Sequence, residues 1–447
     1  MTYTPHTDAD RAAMLAAIGV ASVDELFEDI PASVRASRFA VPPSLTEQEV
    51  RAELTRLAGR NRPAEVSFLG AGAYRRLIPA VVDEVIGRAE FATAYTPYQP
   101  EVSQGTLQAI YEFQTLICEL TGMEVASASH YDGATATAEA ALMACRLTGR
   151  DTVAVSRGVD PQVRRVLATY GSGPGIEIVE VAADLAEGGS GQTDVAAAAA
   201  AMGPDVACLV VQQPSFLGVL EPMAELAEAA HANGGMFVTQ VDPVSLAVLE
   251  APGRYGADIV TAEGQQLGIP LSFGGPYLGL MAARMDAVRQ LPGRLVGATR
   301  DGAGRRGYVL TLQAREQHIR REKAASNICT NQALCALAAT AYLAAVGPEG
   351  LEEVAERSAT QARHLVASLE AAGLASRRFG AAYLNEVALH VPSAALRHAA
   401  LVEQGVVAGF VLEGEYPELG DTLLLAATEL TTDDDVARLV EALGAAT

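Results

Sequence analysis

Between about residues 80 and 285, short β-branched runs alternate with helical stretches, and this alternation limits the fold more than any other feature. The runs fall at 153–156, 176–181, 207–212, 236–242, 258–262 and 277–282, with helical patterns at 134–147, 161–170 and 223–232 between them. The alanine-rich stretch 194–202 sits between two runs as a helix would. The strands are continuously apolar rather than alternating, as expected for a mostly parallel sheet covered on both faces. The fold class is therefore α/β.

The flanks follow different patterns. Residues 1–60 read as a helical arm. Thr7 and Asp8 cap a helix reaching Ala17, a short turn follows at 22–27, Pro31, Pro42 and Pro43 interrupt, and Thr46 caps a helix to Leu57. After residue 314 the chain reads as one long helix or two in series over 315–347. A helix at 351–372, strands at 385–390 and 423–426, and a helix capped by Thr432 follow. The expected organisation is an arm (1–60), a large α/β domain (61–314), and a connecting helix with a small α+β domain (315–447).

Of 447 residues half are hydrophobic and none is tryptophan, so the core must be built from Ala, Val, Leu and Ile. The net charge of −22 argues against nucleic acid and anionic membranes as partners. The five cysteines show no CxxC spacing, and all but Cys208 lie in helix-like stretches, which points to buried thiols in a reduced compartment. No histidine pair has metal-ligand spacing, so no metal site is expected. The N-terminus lacks a basic flank and an apolar segment, and the apolar run 333–346 is too short to span a bilayer. The expected location is cytoplasmic.

Ligands of parallel sheets bind beyond the carboxyl ends of strands, and three such ends are informative. At 127–137 a glycine turn opens a helix, where Gly133 and Thr135 either hold a phosphate or simply make the turn. Asp242 ends an apolar strand, either as a turn residue before Pro243 or as the carboxylate that pyridoxal enzymes pair with the pyridine nitrogen. The strand at 258–262 runs into Glu263-Gly-Gln265-Gln266 and a glycine-rich loop. In pyridoxal enzymes that turn usually carries the lysine that holds the aldehyde, and neither glutamine can form an imine. One lysine, Lys323, accompanies 31 arginines, and no strand or glycine turn precedes it. Glu316 and Glu322 lie at helical spacing from Arg320 and Lys323, so Lys323 reads as a solvated or structural residue. The segment 95–105, with Tyr95, Tyr98, Gln99, Glu101 and Ser103, is an ordered proline-bounded loop suited either to orienting a small polar substrate or to a subunit interface.

Several segments carry a resemblance to a known family. They are 3–15, 67–74, 95–105, 131–136, 256–260, 305–313 and above all Arg315-Glu-Gln-His-Ile-Arg-Arg-Glu-Lys-Ala-Ala-Ser-Asn-Ile-Cys-Thr-Asn-Gln332. Together they resemble the α subunit (subunit 1) of the two-chain glycine cleavage P-protein. The resemblance implies a fold-type-I pyridoxal phosphate architecture, with a mostly parallel seven-stranded-type sheet and a smaller C-terminal α+β domain. It also implies an α2β2 assembly in which the β subunit carries the lysine and the pyridoxal phosphate, leaving Gly133, Thr135, Asp242 and Gln265 here as vestigial positions. Glycine would lose CO2, and the aminomethyl group would pass to the lipoyl arm of H-protein. Tyr95, Tyr98, Gln99, Glu101 and Ser103, with Arg315 and Asn331, are the candidates to reach a shared site. The chain departs from the family at Arg75-Arg76, His130, Asp160 and Ser215, which leaves open a paralogue acting on another amino acid. A stand-alone pyridoxal enzyme and a non-catalytic scaffold are the alternatives.

Overall fold

The computed structural model describes residues 5–36 and 40–446, and it divides into two compact units, Met1–Arg62 and Pro63–Thr447. In the first unit, helices Asp8–Ile18 and Glu47–Ala58 begin in capping boxes. Thr7 pairs with Asp10 and Thr46 with Glu49, each hydroxyl accepting the third backbone N–H while the acid reaches back. Neither helix buries a residue.

The second unit is built on a seven-stranded sheet. Its strands are β1 (Val125–Ala126), β2 (Thr152–Ser156), β3 (Glu177–Val181), β4 (Val206–Gln213), β5 (Met236–Val241), β6 (Ile259–Glu263) and β7 (Gly279–Ala283), in the spatial order β1-β7-β6-β5-β4-β2-β3. Pairing is parallel throughout β3, β2, β4, β5 and β6, and β7 runs antiparallel to both β6 and β1. The inner strands are largely apolar on both faces because both faces are covered, whereas the edge strand β3 exposes Glu177 and Glu180. In β4, Cys208 and Val210 join Ala141 and Met143 of the helix Gly133–Thr148 on one side. On the other, Leu209 and Val211 meet Met202 and Leu226. Each of the valine, leucine and methionine side chains among them contributes about 1.5–3 kcal/mol by leaving water.

A four-stranded antiparallel sheet follows, in the order Ser376–Arg377, Glu386–His390, Thr422–Ala426, Phe410–Val411. The helices Ala394–Glu403 and Asp433–Ala445 and the end of a long helix, Ala333–Ala371, pack on it. That long helix kinks at Gly347, where φ is +64°, just before Pro348. It is long and apolar enough to cross a membrane by length and composition alone. Its first half instead buries Ala336, Ala339 and Tyr342 against the helices Ala80–Ile86 and Gln104–Thr121.

The structure corrects the helix expected from residue 315. The segment forms a 3-10 turn (Gln313–Arg315), one helical turn (Gln317–Arg320), another 3-10 turn (Arg321–Lys323) and then a loop to Gln332. Glu316 does not pair with Arg320. Its carboxylate is buried against Arg294, and Arg321 adopts a φ of +56°, which ends the turn. Lys323 is exposed, as the sequence suggests. Cys329 lies in this loop and is exposed, contrary to the expectation of a buried helical thiol.

Candidate functional site

A cavity of about 410 Å3 opens beyond the carboxyl ends of β4, β5 and β6. Gln212, Gln240 and Asp242 come from the ends of β4 and β5, Glu263 ends β6, and Asp160 caps the helix Pro161–Ser172. The small sheet contributes Asn385 and Glu386, and the 71–74 loop contributes Tyr74.

Gln265 lies in the turn that follows β6, two residues beyond Glu263. It is fully buried, and its amide is spent on the backbone. Its Oε1 accepts the Tyr74 N–H at 2.9 Å, and its Nε2 donates to the carbonyls of Tyr74 at 3.0 Å and Ile269 at 2.8 Å. Gln266 Oε1 accepts from Arg76 Nε at 2.9 Å and Nη2 at 2.7 Å. Arg76 also donates to Ser358 Oγ and pairs with Glu429, both at 2.7 Å. The departure at Arg75-Arg76 thus has a structural account on one side. Arg76 is a buried tie between the two sheets' supporting segments, and Arg75 is exposed.

The reading of Gly133 and Thr135 as a phosphate cradle fails. The Gly133 N–H donates to Glu263 Oε2 at 2.9 Å, and the Thr135 N–H donates to Asp132 Oδ1 at 2.7 Å. Both anion-seeking donors are already taken by carboxyl oxygens, so a phosphate would find neither N–H free. Gly133 has to be glycine here, because a Cβ would stand 2.8 Å from the Glu263 nitrogen. Asp242 Oδ1 accepts the N–H groups of Val244 at 2.8 Å and Ser245 at 3.2 Å. With no amine at position 265 and carboxylates in the cradle, pyridoxal phosphate does not fit this pocket.

Burial dominates the site's electrostatics. It pushes the Glu263 carboxyl up to about 7 despite the N–H groups of Gly133, Leu278 and Gln265, and it pushes Glu386 up to about 7 as well. Glu386 Oε1 accepts the Ala71 N–H and Oε2 accepts the Tyr74 hydroxyl, each at 2.7 Å. Burial also raises Asp160.

Over residues 1–443 the chain matches the family described as glycine cleavage system P-protein. This chain belongs to the glycine cleavage system P-protein family. Its relatives include the probable glycine dehydrogenase (decarboxylating) subunit 1 of Moorella thermoacetica, 54% identical over 447 residues and covering 99% of both chains. The protein of the same name from Thermomicrobium roseum is 51% identical and covers 100% of both. A solved glycine decarboxylase (P-protein) of the glycine cleavage system, in inhibitor-bound form, is 46% identical, with a TM-score of 0.89 and full coverage of both chains. A Burkholderia pseudomallei sphingosine-1-phosphate lyase, 15% identical with a TM-score of 0.67 over 93% of both chains, shares the fold. The architecture is that of fold-type-I pyridoxal phosphate enzymes.

In this P-protein chain none of the loop candidates lines the cavity. Tyr98, Arg315 and Asn331 are held elsewhere by other partners. The Tyr98 hydroxyl accepts from Arg294 Nη2 at 2.6 Å, and its ring meets His318 edge-on at 5.9 Å. Arg315 donates through Nη1 to the Leu291 carbonyl, and Asn331 Nδ2 donates to the Ser129 carbonyl at 3.0 Å. Tyr95, Gln99 and Glu101 face outward, with Tyr95 72% exposed, and Ser103 is half-buried. His130 is fully buried, and burial lowers it to about 3, so it is a neutral core residue. Asp160 and Ser215 line the cavity. Sequence reasoning missed Glu263, Glu386 and Arg294. A carboxylate closing an apolar strand could have flagged Glu263. Nothing local could have flagged Glu386, which lies more than 300 residues from its partner Tyr74.

Proposed function

We propose that this chain is the cofactor-free subunit of a glycine dehydrogenase (decarboxylating). In this reading glycine loses CO2 and its aminomethyl group reduces and joins the lipoyl disulfide of H-protein. A companion subunit 2, in an α2β2 assembly, carries the lysine and the pyridoxal phosphate that supplies the electron sink. One observation carries the reading: Gln265, which the family resemblance aligns with the partner's lysine, cannot form an imine and is locked by three hydrogen bonds. The names of the relatives, with their numbered subunit, support the partner.

This chain's own contribution would come from the loop at 95–103. Arg294 fixes Tyr98, and Thr96 and Thr330 hydroxyls 3.0 Å apart tie the loop to the 324–332 segment. Tyr95, Gln99 and Glu101 are left free to meet the partner's site and position a small substrate. The assay is glycine–CO2 exchange with both subunits and lipoylated H-protein. Neither subunit alone should exchange. Tyr95→Ala and Tyr98→Phe should each lower exchange by about tenfold or more. Full exchange by subunit 2 alone would reduce this chain to a scaffold, the alternative reading.

A further inference from the structure

The cavity that cannot hold the cofactor is still a cavity. Its volume of about 410 Å3 lies in the range of small-molecule sites. Five carboxylates line it, from Asp132, Asp160, Asp242, Glu263 and Glu386, and among the described residues no arginine, lysine or histidine does. Asp132, Asp160 and Asp242 each spend Oδ1 on backbone N–H groups, and their Oδ2 atoms accept no hydrogen bond among the described residues.

A second observation is independent of charge. Three side chains lining the cavity each keep a buried polar atom without a partner: Gln240 Oε1, Ser215 Oγ and Asn385 Nδ2. Their residues are 8%, 3% and 4% exposed. A buried orphan costs about 1–3 kcal/mol, and three around one cavity describe a ligand's outline. Gln240 requires a donor, Asn385 requires an acceptor, and Ser215 takes either.

We propose that this cavity is a binding site for a small hydroxylated organic ammonium ion. The amine would give its protons to Gln240 Oε1 and the free aspartate oxygens, and a hydroxyl would accept from Asn385. A metal ion does not fit, because among the described residues no three His, Cys, Asp or Glu side chains come close enough to share one. Phosphorylated ligands are disfavoured, because the N–H groups of Gly133 and Thr135 are already taken and three aspartates line the cavity. The site is independent of the decarboxylation reading, since its occupant need not be the substrate.

The test is isothermal titration of the full-length chain, alone and with subunit 2, using 2-amino-1,3-propanediol. Glycerol, which replaces the amine by a hydroxyl, and inorganic phosphate are the controls. The amine is expected to bind one per chain, about tenfold or more tighter than glycerol, with no heat from phosphate. Asp160→Asn and Asp242→Asn keep an oxygen for the local N–H groups and lose only the charge, and each should weaken the amine about tenfold. Gln240→Leu, which leaves every charge in place, should do the same and serves if an Asn variant fails to fold. No binding, binding equal to glycerol's, or affinity unchanged in the folded variants would overturn the proposal. Because the readout is binding, failure here leaves glycine–CO2 exchange untouched, and the reverse holds too.

Discussion

Gln265 and Tyr74 exchange two hydrogen bonds, the glutamine oxygen taking the tyrosine N–H at 2.9 Å and the glutamine nitrogen giving to the tyrosine carbonyl at 3.0 Å. An amide does this as a backbone strand would, with one donor and one acceptor side by side. A lysine could donate to the carbonyl but would leave the N–H orphaned.

Gln265→Lys therefore should not restore a pyridoxal enzyme. It should destabilise the chain by roughly 1–3 kcal/mol, the cost of an unpaired buried group. Urea unfolding checks the stability. Incubation with pyridoxal phosphate followed by borohydride should leave no reduced adduct at position 265, because the Gly133 N–H remains taken by Glu263.

Arg76 and Glu429 form an ion pair with side chains only 2% and 7% exposed. Arg76→Ala leaves that carboxylate buried and strips Gln266 and Ser358 of a donor. The expected loss is about 3–5 kcal/mol. A double variant, Arg76→Met with Glu429→Gln, should lose less than Arg76→Ala alone, as measured by denaturant midpoints.

Glu386 links stability to pH with a definite sign. Its folded value, about 7, lies above the ordinary carboxylate value because it is buried, with Asp242 and Asp160 nearby adding to the rise. The folded chain therefore binds the proton more tightly than the unfolded chain. Stability from this group is present below the unfolded value and is lost as pH climbs to about 7. Glu386→Gln can still serve the Ala71 N–H and meet the Tyr74 hydroxyl. The gap between variant and wild type should shift in the variant's favour between pH 5 and 8, by about 1 kcal/mol or more. A pH-independent gap would contradict this account.

Cys329 should be the reactive thiol. Burial is the largest single influence and raises it, but the Thr330 N–H, the Arg294 guanidinium and the Tyr98 hydroxyl together outweigh it and hold the thiol below its ordinary range. Burial pushes Cys118 and Cys145 up to about 11, and raises Cys208 and Cys335 as well. Iodoacetamide at pH 7.5 on the free chain should alkylate Cys329 about tenfold faster than any other cysteine, read by peptide mass spectrometry. Arg294→Met should slow it.

Strand–helix alternation and caps are local signals, and where they rule the sequence was legible. Thr7, Thr46 and Thr432 cap where expected, and six of the seven strands of the large sheet fall within two residues of their patterns, the short Val125–Ala126 being the exception. The segment 315–332 was misread because its helical spacing of charges is overridden by a distant residue, Arg294, which draws Glu316 inward. Likewise Gln265 stands out in the sequence as a residue that cannot form an imine, but its bonds to Tyr74 do not, since they join segments 191 residues apart. The cavity's roof at Glu386 was invisible for the same reason.

The hydrogen bond from Gly133 to Glu263 bears on how such a chain could change over time. Regaining an amine at position 265 would do nothing until the acid at 263 also withdrew, and withdrawing that acid first exposes a helix end with nothing to gain. Each of the two changes is a loss by itself, so the pairing of Gly133 with Glu263 behaves as a one-way door.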